Sequence, residues 1–269
     1  MKGQFTMLRC AIAGVEAVEA RTRHTFSRHT HERFGIGVIY HGAQKSQSGR
    51  GMVEAGAGDT ITVNPGEVHD GAPIGDTGRS WRILYFDPAL IADTVRDMSE
   101  GRTKTFEFSY PVIQNASIAR RFQQLFYSMT TDNTAGTVLL REESLLMLLA
   151  DVMREQNDSC GAQSIPDSIL KAQSLIDDDP ASPVALCDLA RESGLSRFQV
   201  LRGFAKATGF TPHAYQIQRR IHLARRLIAQ GMPLAEAAAA SGFADQSHMT
   251  RIFVRKYGVS PRAYADAVA

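Results

Sequence analysis

The last third of this chain repeats itself at an offset of 49 residues, and that repeat constrains the fold more than any other feature. Ser196 falls on Asp245, Val200 on Met249, Arg202 on Arg251 and Phe204 on Phe253. Lys206 then meets Arg255, Gly209 meets Gly258, Pro212 meets Pro261 and Tyr215 meets Tyr264. Just upstream the offset is 48, pairing residues 190–195 with 238–243, so the second copy carries one extra residue in its turn.

Each copy predicts a helix-turn-helix. A short helix rich in Ala and Leu runs into a glycine, Gly194 or Gly242, suited to the left-handed conformation of a sharp turn. An apolar residue, Leu195 or Phe243, plugs the space between helices, and Ser196 or Asp245 caps the next helix. On that second helix Val200 and Phe204, or Met249 and Phe253, lie four apart and face a core. The opposite face presents Gln199, Arg202 and Lys206, or His248, Arg251 and Arg255. Arg pairs bidentately with guanine and Gln with adenine, so both stripes are candidates for reading DNA, with Ser196, Arg197, Phe198, Gln246 and Ser247 at the helix starts. A helix over about 212–229 joins the copies and ends at Gly231. Its Arg219, Arg220, Arg225 and Arg226 suit either phosphate contacts or ion pairs inside the module.

Charge follows the same division. Residues 183–269 hold about 12 Lys and Arg against about 5 Asp and Glu, while the whole chain is only +2. A basic module on a mildly acidic body is the asymmetry expected when one domain meets phosphates and the other does not. The body starts with β-prone runs at 35–40, 59–63 and 81–86, separated by turns expected at residues 64–66 and 71–73, a pattern of an antiparallel sandwich or barrel. Helical spacing follows over 115–131 and 137–153, the second with more apolar surface than one stripe needs. Two readings stay open for that surplus, a cover for the barrel and a dimer interface. Residues 157–165 are small and polar and read as a linker. Cys10, Cys160 and Cys187 have no metal-site or disulfide spacing, and no run of about 20 apolar residues suggests a membrane span. A cytoplasmic protein is expected.

The segments 189–215, 219–231 and 240–264 resemble the AraC-type (arabinose-regulator, AraC/XylS) family of transcriptional regulators. The resemblance implies two recognition helices entering successive major-groove segments, with double-stranded promoter DNA, a small-molecule effector, a homodimer partner and RNA polymerase as its partners. Gly203 departs from a strong helix former, at a cost of up to ~1 kcal/mol relative to Ala.

The N-terminal part is similar to cupin-like sensor domains on His29-Thr30-His31 and on residues 58–69, which end in Glu67-Val68-His69. In cupins such histidines ligate a metal, and here His29, His31 and His69 are the metal candidates. The glutamate of the cupin pattern is replaced by the Phe34-Gly35-Ile36 region, leaving Glu67 and Glu32 as the acidic alternatives. Three roles stay open for these positions: a divalent metal site, a pocket for an organic effector, or barrel packing. Trp81 and Tyr85 share a strand parity that turns both inward, with Arg82 on the other face.

The expected architecture is an N-terminal antiparallel cupin-like barrel with covering helices over 1–157, for ligand sensing and dimerisation. A linker over 158–165 leads to an all-α DNA-binding domain over 166–269. The expected function is a transcriptional regulator, not an enzyme, needing no cofactor to bind DNA. The alternative is a metal-binding cupin, sensor or enzyme, tethered to DNA.

Overall fold

A computed structural model describes residues 4–99, 105–131, 138–155 and 165–268. Cys160 and all but the last residue of the expected linker lie outside those residues, as do the side chains of Val138 and Leu139. The chain divides into two compact units, residues 1–160 and 161–267.

The first unit is built on two antiparallel sheets. Strands β1 (Gln4–Leu8), β2 (Val15–Thr22), β9 (Arg79–Phe86), β4 (Phe34–His41), β7 (Thr60–Val63) and β10 (Val112–Ile113) form one sheet in that order. The other follows the order β3 (Phe26–His29), β8 (His69–Ile74), β5 (Ala43–Ser48) and β6 (Gly51–Gly56). Alternation along β9 sorts its side chains between two cores. Trp81 and Ile83 are buried with Phe26 and Ala55 of the smaller sheet, with Tyr85 against them. Leu84 and Phe86 instead join the core under the helices α1 (Pro88–Met98), α2 (Ala116–Thr130) and α3 (Val138–Glu155). The larger sheet is thus covered on one face by helices and on the other by the smaller sheet. Arg82 lies on the helical side, over the rings of Tyr40 and Phe126 at 5.0 and 5.4 Å.

The helices form where the apolar spacing places them. Ile118, Phe122, Leu125, Phe126 and Met129 of α2 are all buried, and Asn115 caps its start by accepting from Ser117 N at 2.9 Å. Helix α3 buries Leu145, Leu148, Leu149 and Val152, each worth about 1.5–3 kcal/mol, yet leaves Leu140 and Met147 exposed.

The turn expected at Gly71-Ala72-Pro73 is not a turn: all three residues lie within β8. The Arg79 side chain reaches β8 at Gly71. A Cβ at residue 71 would stand 3.5 Å from Arg79 Nη2, which donates to Gly71 O.

The second unit is entirely helical among the described residues. Its helices are α4 (Asp167–Asp178), α5 (Leu186–Ser193), α6 (Arg197–Thr208), α7 (Pro212–Ala229), α8 (Leu234–Ala240), α9 (Gln246–Tyr257) and α10 (Pro261–Val268). Val200 and Phe204 are buried with Leu189 and with Ile169, Ala172 and Ile176 of α4. In the second copy Ala237, Ala238, Phe243, Met249, Phe253 and Tyr264 are the buried counterparts. Helix α7 begins at the Thr211 cap and is followed by Gly231 at φ +86°. Among the described residues no helix is long and apolar enough to cross a membrane.

Candidate nucleic-acid interface and barrel site

Both helix-turn-helix turns have the predicted chemistry. Gly194 and Gly242 adopt φ +67° and +76°, and Leu195 and Phe243 follow them. Ser196 Oγ accepts from Gln199 N at 3.3 Å while Gln199 Oε1 accepts from Ser196 N at 2.9 Å, a reciprocal cap that also holds the Gln199 side chain. Asp245 caps α9 alone, accepting from His248 N at 2.7 Å.

Helix α6 exposes Arg197, Phe198, Gln199, Leu201, Arg202 and Lys206, with the Arg202 guanidinium 5.7 Å from the Phe198 ring centre. Helix α9 exposes Gln246, Ser247, Arg251 and Arg255. His248 is half-buried and packs edge-on against Phe243, with ring centres 5.4 Å apart.

The arginines of α7 behave differently. Arg219 pairs with Asp177 at 2.8 Å. Arg220 donates to the carbonyls of Pro180 at 2.8 Å, Ala181 at 3.0 Å and Gly242 at 2.7 Å, tying the segment before α5 to the second turn. Arg225 lies 4.7 and 4.9 Å from the rings of Tyr257 and Tyr264. Three of the four arginines left open in the sequence are therefore engaged inside the module. Among the described residues Arg197, Arg202, Lys206, Arg251 and Arg255 form no ion pair with a carboxylate. An uncommitted cation on a capped helix is what a phosphate or a base edge would meet.

In the first unit His29, His31 and His69 converge. His29 ends β3 and pairs with His69 at the start of β8, while His31 follows just beyond the strand. Ring centres lie 4.9 Å apart for His29–His31, 4.5 Å for His29–His69 and 5.2 Å for His31–His69. His29 Nδ1 donates to Ser27 O at 2.9 Å and His69 Nδ1 to Glu67 O at 3.1 Å. In a neutral ring this keeps the proton on Nδ1 and leaves the Nε2 lone pair as the donor to a ligand. One nitrogen from each histidine lies within 4.8 Å of the others. Burial pushes His69 below the ordinary imidazole value, favouring its neutral form.

The other candidates sit around this cluster unequally. Tyr85 stacks beside His31 with ring centres 4.7 Å apart, and its hydroxyl lies 3.5 Å from His31 Nε2. Trp81 is buried further along the same face of β9. The Glu67 side chain accepts from Asn64 Nδ2 at 2.9 Å and lies 3.8 Å from Arg50 Nε. It is not one of the metal-compatible group, which among the described residues consists of the three histidines. One residue went unnoticed in the sequence: Arg79, buried two positions before Trp81 on the same face. A lone arginine at a strand start carries no periodic signal that separates it from a solvated one.

Two units of this kind define a class of protein: a DNA-binding regulator with a double helix-turn-helix reader and an antiparallel sheet domain for sensing. Comparison with known proteins agrees. Residues 12–150 match the model of the AraC-like ligand binding domain and residues 189–267 that of a helix-turn-helix domain. The uncharacterized HTH-type transcriptional regulator YbfI of Bacillus subtilis (strain 168) is 29% identical over 227 residues, 83% of this chain and 81% of its own length. The HTH-type transcriptional activator RhaS of Salmonella heidelberg is 27% identical over 151 residues, 55% of this chain and 54% of RhaS. Among solved structures, an apo ToxT variant from Vibrio cholerae superposes with a TM-score of 0.61 at 14% identity, covering 97% of this chain and 100% of that one. Unsaturated fatty acid-bound wild-type ToxT gives 0.58 at 14% identity, over 98% and 95%. The chain belongs to the AraC family of DNA-binding transcriptional regulators and carries the family's N-terminal ligand-binding domain.

Proposed function

We propose that α6 and α9 read two unequal half-elements of one promoter site, and that a small molecule held between the sheets controls this reading. The observation that carries the DNA reading is the contrast in arginine use. Arg197, Arg202, Lys206, Arg251 and Arg255 pair with no carboxylate among the described residues and are exposed, whereas Arg219, Arg220 and Arg225 of α7 are tied to other elements of the module. Arg202 and Arg251 are the base readers in this scheme, with Gln199 and His248 beside them. Arg197, Lys206 and Arg255 meet phosphates, and Ser196, Phe198, Gln246 and Ser247 line the helix starts. Replacing Arg202 or Arg251 by Ala costs about 1–3 kcal/mol of specific binding and relaxes base preference at different positions. Footprints unchanged in both variants would sink the assignment.

The domain limits proposed are 1–157 and 166–269, and the protein acts in the cytoplasm without catalysing a reaction. Dimerisation uses the outer face of α2 and α3, where Tyr127, Leu140 and Met147 are exposed, and sets two readers on paired sites. RNA polymerase is the further partner where the protein activates. ToxT, which shares this fold, is described with an unsaturated fatty acid bound, which supports an organic effector for this chain.

A second reading is favoured by the histidine cluster. His29, His31 and His69 suit a divalent metal, since bonds of about 2.0–2.1 Å bring tetrahedral nitrogens to about 3.4 Å of one another, a modest closing from the present spacing. The metal would supply a Lewis-acidic anchor for an effector oxygen. Two of the three rings are already oriented for it by Ser27 O and Glu67 O. Elemental analysis of the purified full chain tests this: stoichiometric metal lost in His29→Ala and His69→Ala supports it, and metal-free protein with unaltered regulation removes it.

A further inference from the structure

Arg79 is 3% exposed, and its guanidinium sits in an apolar, aromatic interior. Its carbon lies 5.0 Å from the Trp81 ring centre and 5.9 Å from that of Phe26. Phe5 closes the same group edge-on, 5.7 Å from Phe26 and 6.0 Å from Trp81. One hydrogen bond is made, Nη2 to Gly71 O at 3.2 Å. Nε and Nη1 are buried and have no hydrogen-bond partner among the described residues, and no carboxylate pairs with the group. Burial lowers its pKa only to about 10, so the group remains a cation at neutral pH.

A buried guanidinium without a counter-charge is costly, and ring faces with one carbonyl offset only part of that. Packing alone does not call for it, since an apolar residue would fill the space without a desolvation penalty. The smaller sheet meets it through the Gly71 carbonyl of β8. Phe26 also lies 5.8 Å from His29, so the arginine and the three histidines border one continuous stretch of the inter-sheet interior.

We propose that the interior of the sheet domain is a carboxylate site, in which Arg79 receives the carboxylate of a small acid on one edge of its guanidinium, Nη1 with Nη2 or Nε with Nη2, while the second Nη2 hydrogen stays on Gly71 O. The acid's apolar body lies against Phe5, Phe26 and Trp81. The planar fork of a guanidinium matches a carboxylate, and a site shielded from water strengthens the pairing. This rests on the reading of the domain as the effector-binding unit and adds the effector's class, an organic acid with an apolar body.

The chain has a single tryptophan, and it is Trp81, so intrinsic emission reports on this site in the full-length protein. The probes are benzoate and octanoate, with benzamide and octanamide as uncharged counterparts. At least one acid is expected to change Trp81 emission saturably and to bind ten-fold or more tightly than its amide. Arg79→Met and Arg79→Gln lose that preference, while Arg79→Lys keeps the charge and retains part of it. Arg79→Met should melt at or above the wild-type temperature without ligand, because it removes an unpaired buried cation; a structural arginine would give the opposite. The proposal is overturned if neither acid binds, if acids and amides bind alike, or if Arg79→Met binds the acid as wild type does. Promoter binding with and without the acid separates the two readings. An Arg79-dependent acid site that leaves DNA affinity unchanged keeps the site and removes effector control.

Discussion

Gly194 and Gly242 occupy the same place in the two helix-turn-helix units and share nearly the same backbone angle, yet their surroundings differ. A Cβ on Gly194 would meet nothing within 4 Å. A Cβ on Gly242 would stand 2.8 Å from Ala181 Cα and closer still to its carbonyl oxygen. That carbonyl and the one of Gly242 itself are both held by Arg220. The first turn thus needs glycine only for its angle, whereas the second needs it for angle and space. A repeat preserves the local geometry of each copy, while tertiary contacts make the copies unequal.

The largest expected effect tests that inequality. Gly194→Ala incurs the left-handed penalty alone, about 1–2 kcal/mol. Gly242→Ala adds a backbone collision that no side-chain rotation relieves, for a total of about 3 kcal/mol or more. Urea unfolding of the full chain measures both, and equal losses would break the comparison.

The recognition helices supply the next contrast. By the same offset Gln199 matches His248, but Gln199 belongs to a reciprocal cap and His248 to a ring contact. Gln199→Glu keeps an acceptor for Ser196 N, so stability should hold within about 0.5 kcal/mol. It removes the amide donor and brings a negative charge towards DNA, so promoter affinity should fall by about 1–3 kcal/mol in a mobility-shift titration. Loss of stability in parallel with affinity would mean that the residue serves only the cap.

Gly203 corrects a propensity argument. Its counterpart is Ile252, a buried side chain, and Ile169 of α4 approaches from outside: a Cβ on Gly203 would lie 2.8 Å from Ile169 Cδ1. The glycine gives up its side chain so that α4 can dock. Gly203→Ala therefore gains helix propensity but overpacks the contact, for a net loss of about 1 kcal/mol. Ile169→Val removes the nearer methyl and should recover part of it in the double variant. A stabilised Gly203→Ala would restore the propensity explanation.

These residues show what was legible beforehand. The caps, the turn glycines, the buried pairs Val200–Phe204 and Met249–Phe253, and the inward parity of Trp81 and Tyr85 follow from local periods of four, three and two residues. The histidine convergence was legible because a strand pair brings a two-residue motif beside a distant third member. Gly203 and Arg79 were not, because each is explained by a side chain or backbone arriving from another element. A glycine within a strand is indistinguishable in sequence from one that bends the chain, as the misplaced turn at residues 71–73 shows. The α7 arginines stayed ambiguous for the same reason, since their partners at Asp177, Pro180 and Gly242 come from far along the chain.

The smallest effect concerns Lys256, where the repeat places Ala207. Lys256 is buried, with its Nζ 5.6 Å from the ring centre of Phe210, which follows α6. Burial first, and then the Arg255 charge, lower its pKa from 10.5 to about 8. The unfolded chain therefore holds this proton at pH values where the folded chain has released it. Stability rises with pH from about 8 towards the unfolded value, and the penalty is constant below 8. Full linkage would give about 1.4 kcal/mol per pH unit, and partial solvation of the ammonium reduces that to a fraction. Lys256→Met removes the titrating group while keeping an apolar stem over Phe210. The difference between wild-type and Lys256→Met unfolding free energies should narrow from about pH 7.5 to about pH 9.5 in favour of the wild type. A pH-independent difference would mean that the ammonium reaches solvent freely, and the second unit would then differ from the first at this position in packing alone.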